Sequence, residues 1–183
     1  MVLKPLDELF LLPHADVAAP SAYWIGNDTL TSALLLIEPS MTEYRRVLNS
    51  MRDRTSDEFD MDLVNDLYGG SAMRLPNKHW VVSGEFRRKS HASYLEDGEE
   101  WDPDMVLKRA GMVHFSDWPY PKPWRSAEPD MVLATRPKCE KNIDGTVDCR
   151  NRDTWMWLYE DFKQRRKVCY WVEALMTNYE TDL

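Results

Sequence analysis

The sequence predicts an α/β domain, and three features of the chain indicate it. The apolar segment LLLIE, residues 34–38, is followed at once by Ser40, whose hydroxyl can cap a helix. A second helix, which Asp102 can cap, leads directly into a short strand that ends near His114. The 183 residues are 43% hydrophobic and 30% charged, which is enough to bury one core and argues against disorder.

The other elements follow from apolar spacing and from residues typical of helix ends. LLLIE lacks polar alternation, so we expect a central strand that is covered on both faces. The predicted elements are a helical turn over 6–10, strands over 16–20, 34–38 and 112–116, helices over 40–51, 60–68 and 103–110, and a strand with a turn over 79–86.

The C-terminal part divides into a connection and a long helix. Residues 125–152 show no clear periodicity and are expected to be irregular. A helix is predicted from Asp153, and its apolar face comprises Trp155, Leu158, Phe162, Cys169, Val172 and Met176. We therefore predict a main domain over 1–124 and a C-terminal helical appendage over 153–183.

Charge and apolar content exclude several classes of protein. A net charge of −8 argues against nonspecific nucleic-acid binding, because that binding needs clustered Lys and Arg. No apolar run is long enough for a membrane span, and residues 1–10 do not resemble a signal peptide. Cys139 and Cys149 flank a turn-like segment and could close a small loop in an oxidising compartment, which would leave one of three thiols unpaired.

The segment MVHFSDWPYPKPW, residues 112–124, carries the first candidate site residues. His114 at a strand end can be a metal ligand, a base or a hydrogen-bonded structural group. Lys122 lies in a loop that three prolines stiffen, which suits an ammonium that binds a diphosphate. The alternative is a solvated lysine in a rigid turn, and spacing alone favours the structural alternatives for both residues.

Asp60 and Asn65 stand at the start of the helix over 60–68. A carboxylate at a helix start is favoured by the helix dipole, so capping alone can explain Asp60. Asn65 lies about 140° around the helix from Asp60 at 3.6 residues per turn. The two side chains therefore do not share a narrow face, and the spacing does not make them a site.

Taken together, the segments resemble glycosyltransferase family 8, the glycogenin-like enzymes with a GT-A nucleotide-sugar-binding fold. The likeness is strongest to a fungal branch of α-1,2-N-acetylglucosaminyltransferase-like proteins, and it covers nearly the whole chain. VHFS followed by KPW resembles the family's His-Phe and Lys-Pro-Trp segment, and FDMDLVNDLY resembles its Asp-Gln-x-x-x-Asn helix. The other matching segments are TSALLLIEPS at 31–40, MRLP at 73–76 and DTWMWLYEDFKQRRKVC at 153–169.

The resemblance implies an incomplete GT-A fold, with a mixed sheet flanked by helices and a long C-terminal helix. It implies transfer of a sugar from a UDP-sugar to a hydroxyl of a glycan or other acceptor, with retention. His114 would bind a catalytic Mn²⁺, and Lys122 would bind the diphosphate of the donor. Asp60 would lie beside the reacting anomeric carbon, and Asn65 would support it.

Ser32 and Trp124 would contact substrates by the same resemblance. Met61 stands where the family has Gln, and the residues that flank Ser32 also depart from the family's pattern. Relatives of this kind work in the Golgi, so a secretory location is implied, or a cytoplasmic one if the protein truly starts at Met1.

The family's Asp-x-Asp motif does not occur upstream of the first predicted strand, and by the resemblance it would lie before Met1. We therefore expect a truncated enzyme, inactive and prone to aggregation in isolation. The alternative is a non-catalytic fragment or pseudoenzyme that acts as a binding module. A generic α/β domain without glycosyl chemistry would be favoured if His114 and Lys122 lay on different faces.

Overall fold

The computed structural model describes residues 1–26 and 28–180, with side chains described as far as residue 167. The chain has the predicted mixture of helices and strands. Its elements are β1 (Val17–Pro20), β2 (Leu36–Ile37), α1 (Met41–Arg52), α2 (Asp60–Tyr68), β3 (Met73–Leu75), β4 (Trp80–Val82), α3 (Pro103–Arg109), β5 (Met112–His114), α4 (Pro129–Thr135), β6 (Glu140–Lys141), β7 (Val147–Asp148) and α5 (Arg150–Glu180). Short 3₁₀ turns cover Asp7–Leu11, Asn77–His79 and Ser83–Arg87.

The described strands form three small sheets. In the first sheet β1 is central, and it pairs with β2 in antiparallel and with β3 in parallel orientation. Strands β4 and β5 pair in parallel, and β6 with β7 forms an antiparallel hairpin. A mixed sheet is therefore confirmed, and its helices α1 and α2 follow β2 directly in the chain.

The prediction that LLLIE forms a central strand covered on both faces is wrong. Only Leu36 and Ile37 are extended, and β2 lies at the edge of its sheet. The side chain of Ile37 is 56% exposed, whereas all four residues of β1 are buried. Within this run Leu35 and Ile37 line an open groove, whereas Leu34 and Leu36 pack against buried apolar clusters.

Both predicted helix caps are confirmed. The Ser40 hydroxyl accepts a hydrogen bond from the amide of Glu43 at 3.4 Å. Asp102 accepts from two amides in the first turn of α3, at 2.9 and 3.0 Å. The Glu43 carboxylate accepts from the hydroxyl of Tyr68 at 2.9 Å, so it ties α1 to α2.

The main core lies between the β4–β5 pair and the first turns of α5. Trp155 and Leu158 are 1% and 0% exposed, so the start of α5 belongs to the core and is not an appendage. The helix begins at Arg150, before the predicted start at Asp153. The predicted face continues through Phe162, and its members Cys169, Val172 and Met176 lie outside the described side chains. No helix in the described part of the chain combines the length and apolar character that a bilayer span needs.

The segment 125–152, expected to be irregular, contains α4 and the β6–β7 hairpin. Pro129 occupies the first turn of α4, a position where its missing amide hydrogen costs nothing. Gly145 has a φ of +84° in the hairpin turn, a conformation that favours glycine. These elements are short and mostly exposed, so their sequences have no apolar periodicity from which they could be predicted.

Cys139 and Cys149 form a disulfide that closes the hairpin, which is one of the alternatives that the sequence left open. The bond joins residues 10 apart, and cross-linking a loop of that length stabilises a fold by roughly 2–3 kcal/mol. We expect Cys139→Ser with Cys149→Ser to lower the free energy of unfolding by that amount in urea titrations. Reductant should destabilise the parent chain and leave the double variant unchanged, and equal stability of both chains would contradict the estimate.

Candidate functional site

His114 ends β5, where it is opposite Val82 of the parallel strand β4. Partial burial lowers the pKa of its imidazole, and the positive charges of Lys122 and of the N-terminal ammonium lower it further. The carboxylate of Asp60 acts in the opposite direction on the same ring. The imidazole is therefore neutral near neutral pH, with one ring nitrogen free to accept a hydrogen bond.

Lys122 is held beside the end of β5 by the loop that follows the strand. Its Nζ donates a hydrogen bond to the carbonyl of Phe115, the residue after His114. The loop turns through a cis bond between Trp118 and Pro119. The ammonium therefore lies near the end of β5, close enough to the imidazole of His114 to lower its pKa.

A buried carboxylate, Asp117, anchors this loop to the core. Its Oδ2 accepts hydrogen bonds from the hydroxyl of Ser83 and, at 2.8 Å, from the hydroxyl of Tyr159. Its Oδ1 accepts from Arg87 at 3.3 Å. Sequence reasoning missed Asp117, because an aspartate before Trp-Pro cannot be distinguished from an ordinary turn residue.

Asp60 opens α2, and its side chain is exposed at the wall of a groove of about 730 Å³. The backbone amide before the helix is bound by Asp62 instead, which accepts from Phe59 at 2.8 Å. Among the described contacts no hydrogen bond or ion pair engages Asp60, although its position in the first turn of α2 still suits the helix dipole. Ser32 lines the same groove, whose remaining walls are mostly apolar side chains of β2, α1 and α2.

Asn65 lies behind this groove and binds the main chain. Its Oδ1 accepts from the amide of Leu30 at 2.7 Å, and its Nδ2 donates to the carbonyls of Leu30 at 2.9 Å and Met61 at 2.8 Å. The amide therefore fixes the chain two residues before Ser32. This geometry gives Asn65 a positioning contact and no described contact with Asp60.

Trp124 lies apart from Asp60 and Ser32. Its side chain is 51% exposed and lines a separate pocket of about 410 Å³. The described lining of that pocket has no residue in common with the groove. The structure thus brings Lys122 and Asp60 each within electrostatic reach of His114, and it places Trp124 in a separate pocket.

The described residues do not fit a Mn²⁺ site. Within that part of the chain, no group of three or more His, Cys, Asp or Glu side chains converges on one point. Mn²⁺ prefers several oxygen ligands, and the charges that act on His114 include the Lys122 ammonium, which disfavours a second cation there. Any metal would need ligands that these residues do not supply.

Comparison with known proteins points to the transferase class. No protein-family model matches the chain. The chain is 43% identical to glucose N-acetyltransferase 1 of Aspergillus fumigatus over 195 aligned residues, which cover 97% of this chain and 50% of that protein. It is 41% identical to the Gibberella zeae protein of the same name, over 92% of this chain and 38% of that protein.

More distant similarity extends to glucose N-acetyltransferase 1 of Candida albicans, at 22% identity over 80% of this chain and 41% of that protein. The chain spans half or less of the length of these curated relatives. The relatives are fungal proteins named as transferases, which supports the expectation of an enzyme of that class. They leave the nucleotide-sugar donor and the GT-A fold as predictions.

Proposed function

We propose that this chain forms the acceptor side of a retaining glycosyltransferase that uses a UDP-sugar. The observation that carries the proposal is that the Lys122 ammonium and the Asp60 carboxylate both act electrostatically on the neutral imidazole of His114, while Asp60 itself lines an open groove. The similarity to fungal transferases supports it. We further propose that the complete protein has a GT-A fold and works in the Golgi.

Each group has a distinct task in this reaction. The Lys122 ammonium neutralises the charge that develops on the diphosphate as it leaves the sugar. The Asp60 carboxylate stabilises the positive charge that forms at the anomeric carbon. Neutral His114 offers a hydrogen bond to a phosphate or sugar oxygen. The acceptor hydroxyl attacks from the face that the diphosphate leaves, and the groove beside Asp60 and Ser32 receives the acceptor.

A binding module without turnover is the second candidate. The observation that favours it is the lack of a metal-ligand set among the described residues. Such a module would bind a UDP-sugar through Lys122 and would not cleave it. Binding and turnover therefore have to be measured separately.

The test uses the longest natural protein that contains these 183 residues. Purified protein is incubated with Mn²⁺, a panel of UDP-sugars and glycan acceptors, and sugar transfer is measured by mass spectrometry. A parallel reaction contains acetyl coenzyme A and glucose, because the relatives' names mention an acetyl group. We expect sugar transfer, and acetyl transfer in its place would contradict the proposal.

Removing the Lys122 charge should lower kcat/KM. Loss of one group that stabilises transition-state charge costs on the order of 10²–10³ in rate, so we expect that range for Lys122→Met. Lys108→Met, at an exposed position on α3, is the matched control and should leave kcat/KM unchanged. Binding of the UDP-sugar without turnover in the parent protein would favour the binding module.

A further inference from the structure

We propose that the pocket beside Trp124 binds a small organic phosphate, because a cluster of cations and an exposed indole face line it together. This proposal does not depend on the proposed function. The pocket has a volume of about 410 Å³, and Arg125, Lys163, Arg166 and Lys167 are among its lining residues. No carboxylate is among the described lining residues, although the whole chain has a net charge of −8.

The pocket is organised by contacts between the loop and α5. Arg166 donates a hydrogen bond from Nη1 to the carbonyl of Trp124 at 3.1 Å. The rings of Trp124 and Phe162 lie 6.0 Å apart, so the indole rests against the helix and keeps its other side open. Lys163 and Lys167 are one helical turn apart and therefore present their ammonium groups on the same face.

Three of the cations that line this pocket, Arg125, Lys163 and Lys167, differ from the neighbouring Arg165 in having no described carboxylate partner. Arg165, on the same turn of α5, is neutralised by Asp161 at 2.7 Å. Within the part of the chain whose side chains are described, no ion pair joins Arg125, Lys163 or Lys167 to a carboxylate. Several unneutralised charges so close together repel one another, and an anion bound between them would relieve this repulsion.

The shape and chemistry of the pocket favour a phosphate attached to a ring. Ammonium and guanidinium groups bind the several oxygens of a phosphate through charge-assisted hydrogen bonds. The open indole of Trp124 offers a flat apolar surface for a sugar or base ring. A concave site of this volume suits a single small ligand better than a nucleic acid, whose binding needs an extended basic surface.

The test is a calorimetric titration of the full chain at low ionic strength. The ligands are glucose 6-phosphate, inorganic pyrophosphate and glucose, with phosphatidylserine vesicles to represent a lipid headgroup. We expect glucose 6-phosphate and pyrophosphate to bind and glucose not to bind. Tighter binding of vesicles than of glucose 6-phosphate would overturn the proposal, because it would assign the cations to a membrane surface.

Variants of the lining residues test whether the phosphate ligands bind in the pocket beside Trp124. Lys163→Gln with Lys167→Gln should weaken both phosphate ligands at least about tenfold, since charge-assisted hydrogen bonds are lost. Trp124→Ala should weaken glucose 6-phosphate more than pyrophosphate, because only the former has a ring to stack. The matched control is Lys89→Gln with Lys141→Gln, which removes the same charge from exposed positions and should change neither affinity.

The variant Lys122→Met distinguishes binding in the Trp124 pocket from binding in the proposed active site. We expect it to leave the affinity for glucose 6-phosphate unchanged, whatever its effect on sugar transfer. Unchanged binding in the Lys163 and Lys167 double variant, or the absence of binding to the parent chain, would overturn the proposal.

Discussion

Replacing Asp117 with alanine is expected to lower the free energy of unfolding by about 3–5 kcal/mol, as for other buried charged groups that lose a partner. The carboxylate is 2% exposed and accepts hydrogen bonds from Ser83, Tyr159 and Arg87. Its removal leaves two buried hydroxyls and a guanidinium without their acceptor. Urea unfolding followed by fluorescence measures the change.

Two further variants make this result specific. Asp161→Ala removes a carboxylate that forms a surface ion pair with Arg165, and it should cost less than about 1 kcal/mol. Tyr159→Phe should destabilise the parent chain more than it destabilises the Asp117→Ala chain, because the lost hydrogen bond is shared. Equal costs for Asp117→Ala and Asp161→Ala would contradict the role of Asp117 as the anchor of the loop.

Replacing Trp155 with alanine is expected to lower the free energy of unfolding by about 3–5 kcal/mol. The side chain is 1% exposed, and its ring lies 5.1 Å from that of Tyr120 and 4.6 Å from that of Tyr159. Alanine would leave a cavity at the centre of the main core. Thermal or urea unfolding measures the loss.

Trp157 supplies the matched control for Trp155. It is on the same helix, and it is 43% exposed. Trp157→Ala should therefore lower the free energy of unfolding by less than about 1 kcal/mol. Similar losses for both variants would show that α5 is not packed as described, and that its first turns lie outside the core.

The local structure of this chain could be predicted because short-range chemistry determines it. The hydroxyl of Ser40 and the carboxylate of Asp102 each satisfy amides at a helix start, and these residues need only their own neighbours to do so. The strand that ends at His114 was predicted by the helix before it and the loop after it. These local patterns predict a helix start or a strand end independently of how the elements pack together.

Strand order, in contrast, depends on distant parts of the chain. An apolar run such as residues 34–38 can fill a sheet centre or line a groove, and only the position of β1 between β2 and β3 decides which. The β6–β7 hairpin is stabilised by its disulfide, and a short exposed hairpin carries little pattern of its own. The sequence could therefore predict most of the elements before residue 125 and could not predict their arrangement.

The candidate site was also predictable in its residue types and not in its spatial arrangement. Residue types and family resemblance identified His114, Lys122 and Asp60 as candidates, and their approach depends on packing between separate elements. Asp117 was missed because its role is visible only when Ser83 and Tyr159 lie beside it. Trp124 is two residues from Lys122, and the described lining of its pocket does not include Lys122.

The central claim is that His114, Lys122 and Asp60 form one site, and titration of His114 by NMR tests it most directly. The His114 signal is assigned by its loss in His114→Gln, and its pKa is then measured in the parent chain and in charge variants. Lys122→Met should raise that pKa, because a nearby positive charge that disfavours protonation is removed. Asp60→Asn should lower the pKa of His114 below its value in the parent chain, because a carboxylate that favours protonation is removed. Lys141→Met, at an exposed position on the β6–β7 hairpin, should leave it unchanged. A His114 pKa that responds to neither Lys122→Met nor Asp60→Asn would show that the three groups are separate and would contradict the account.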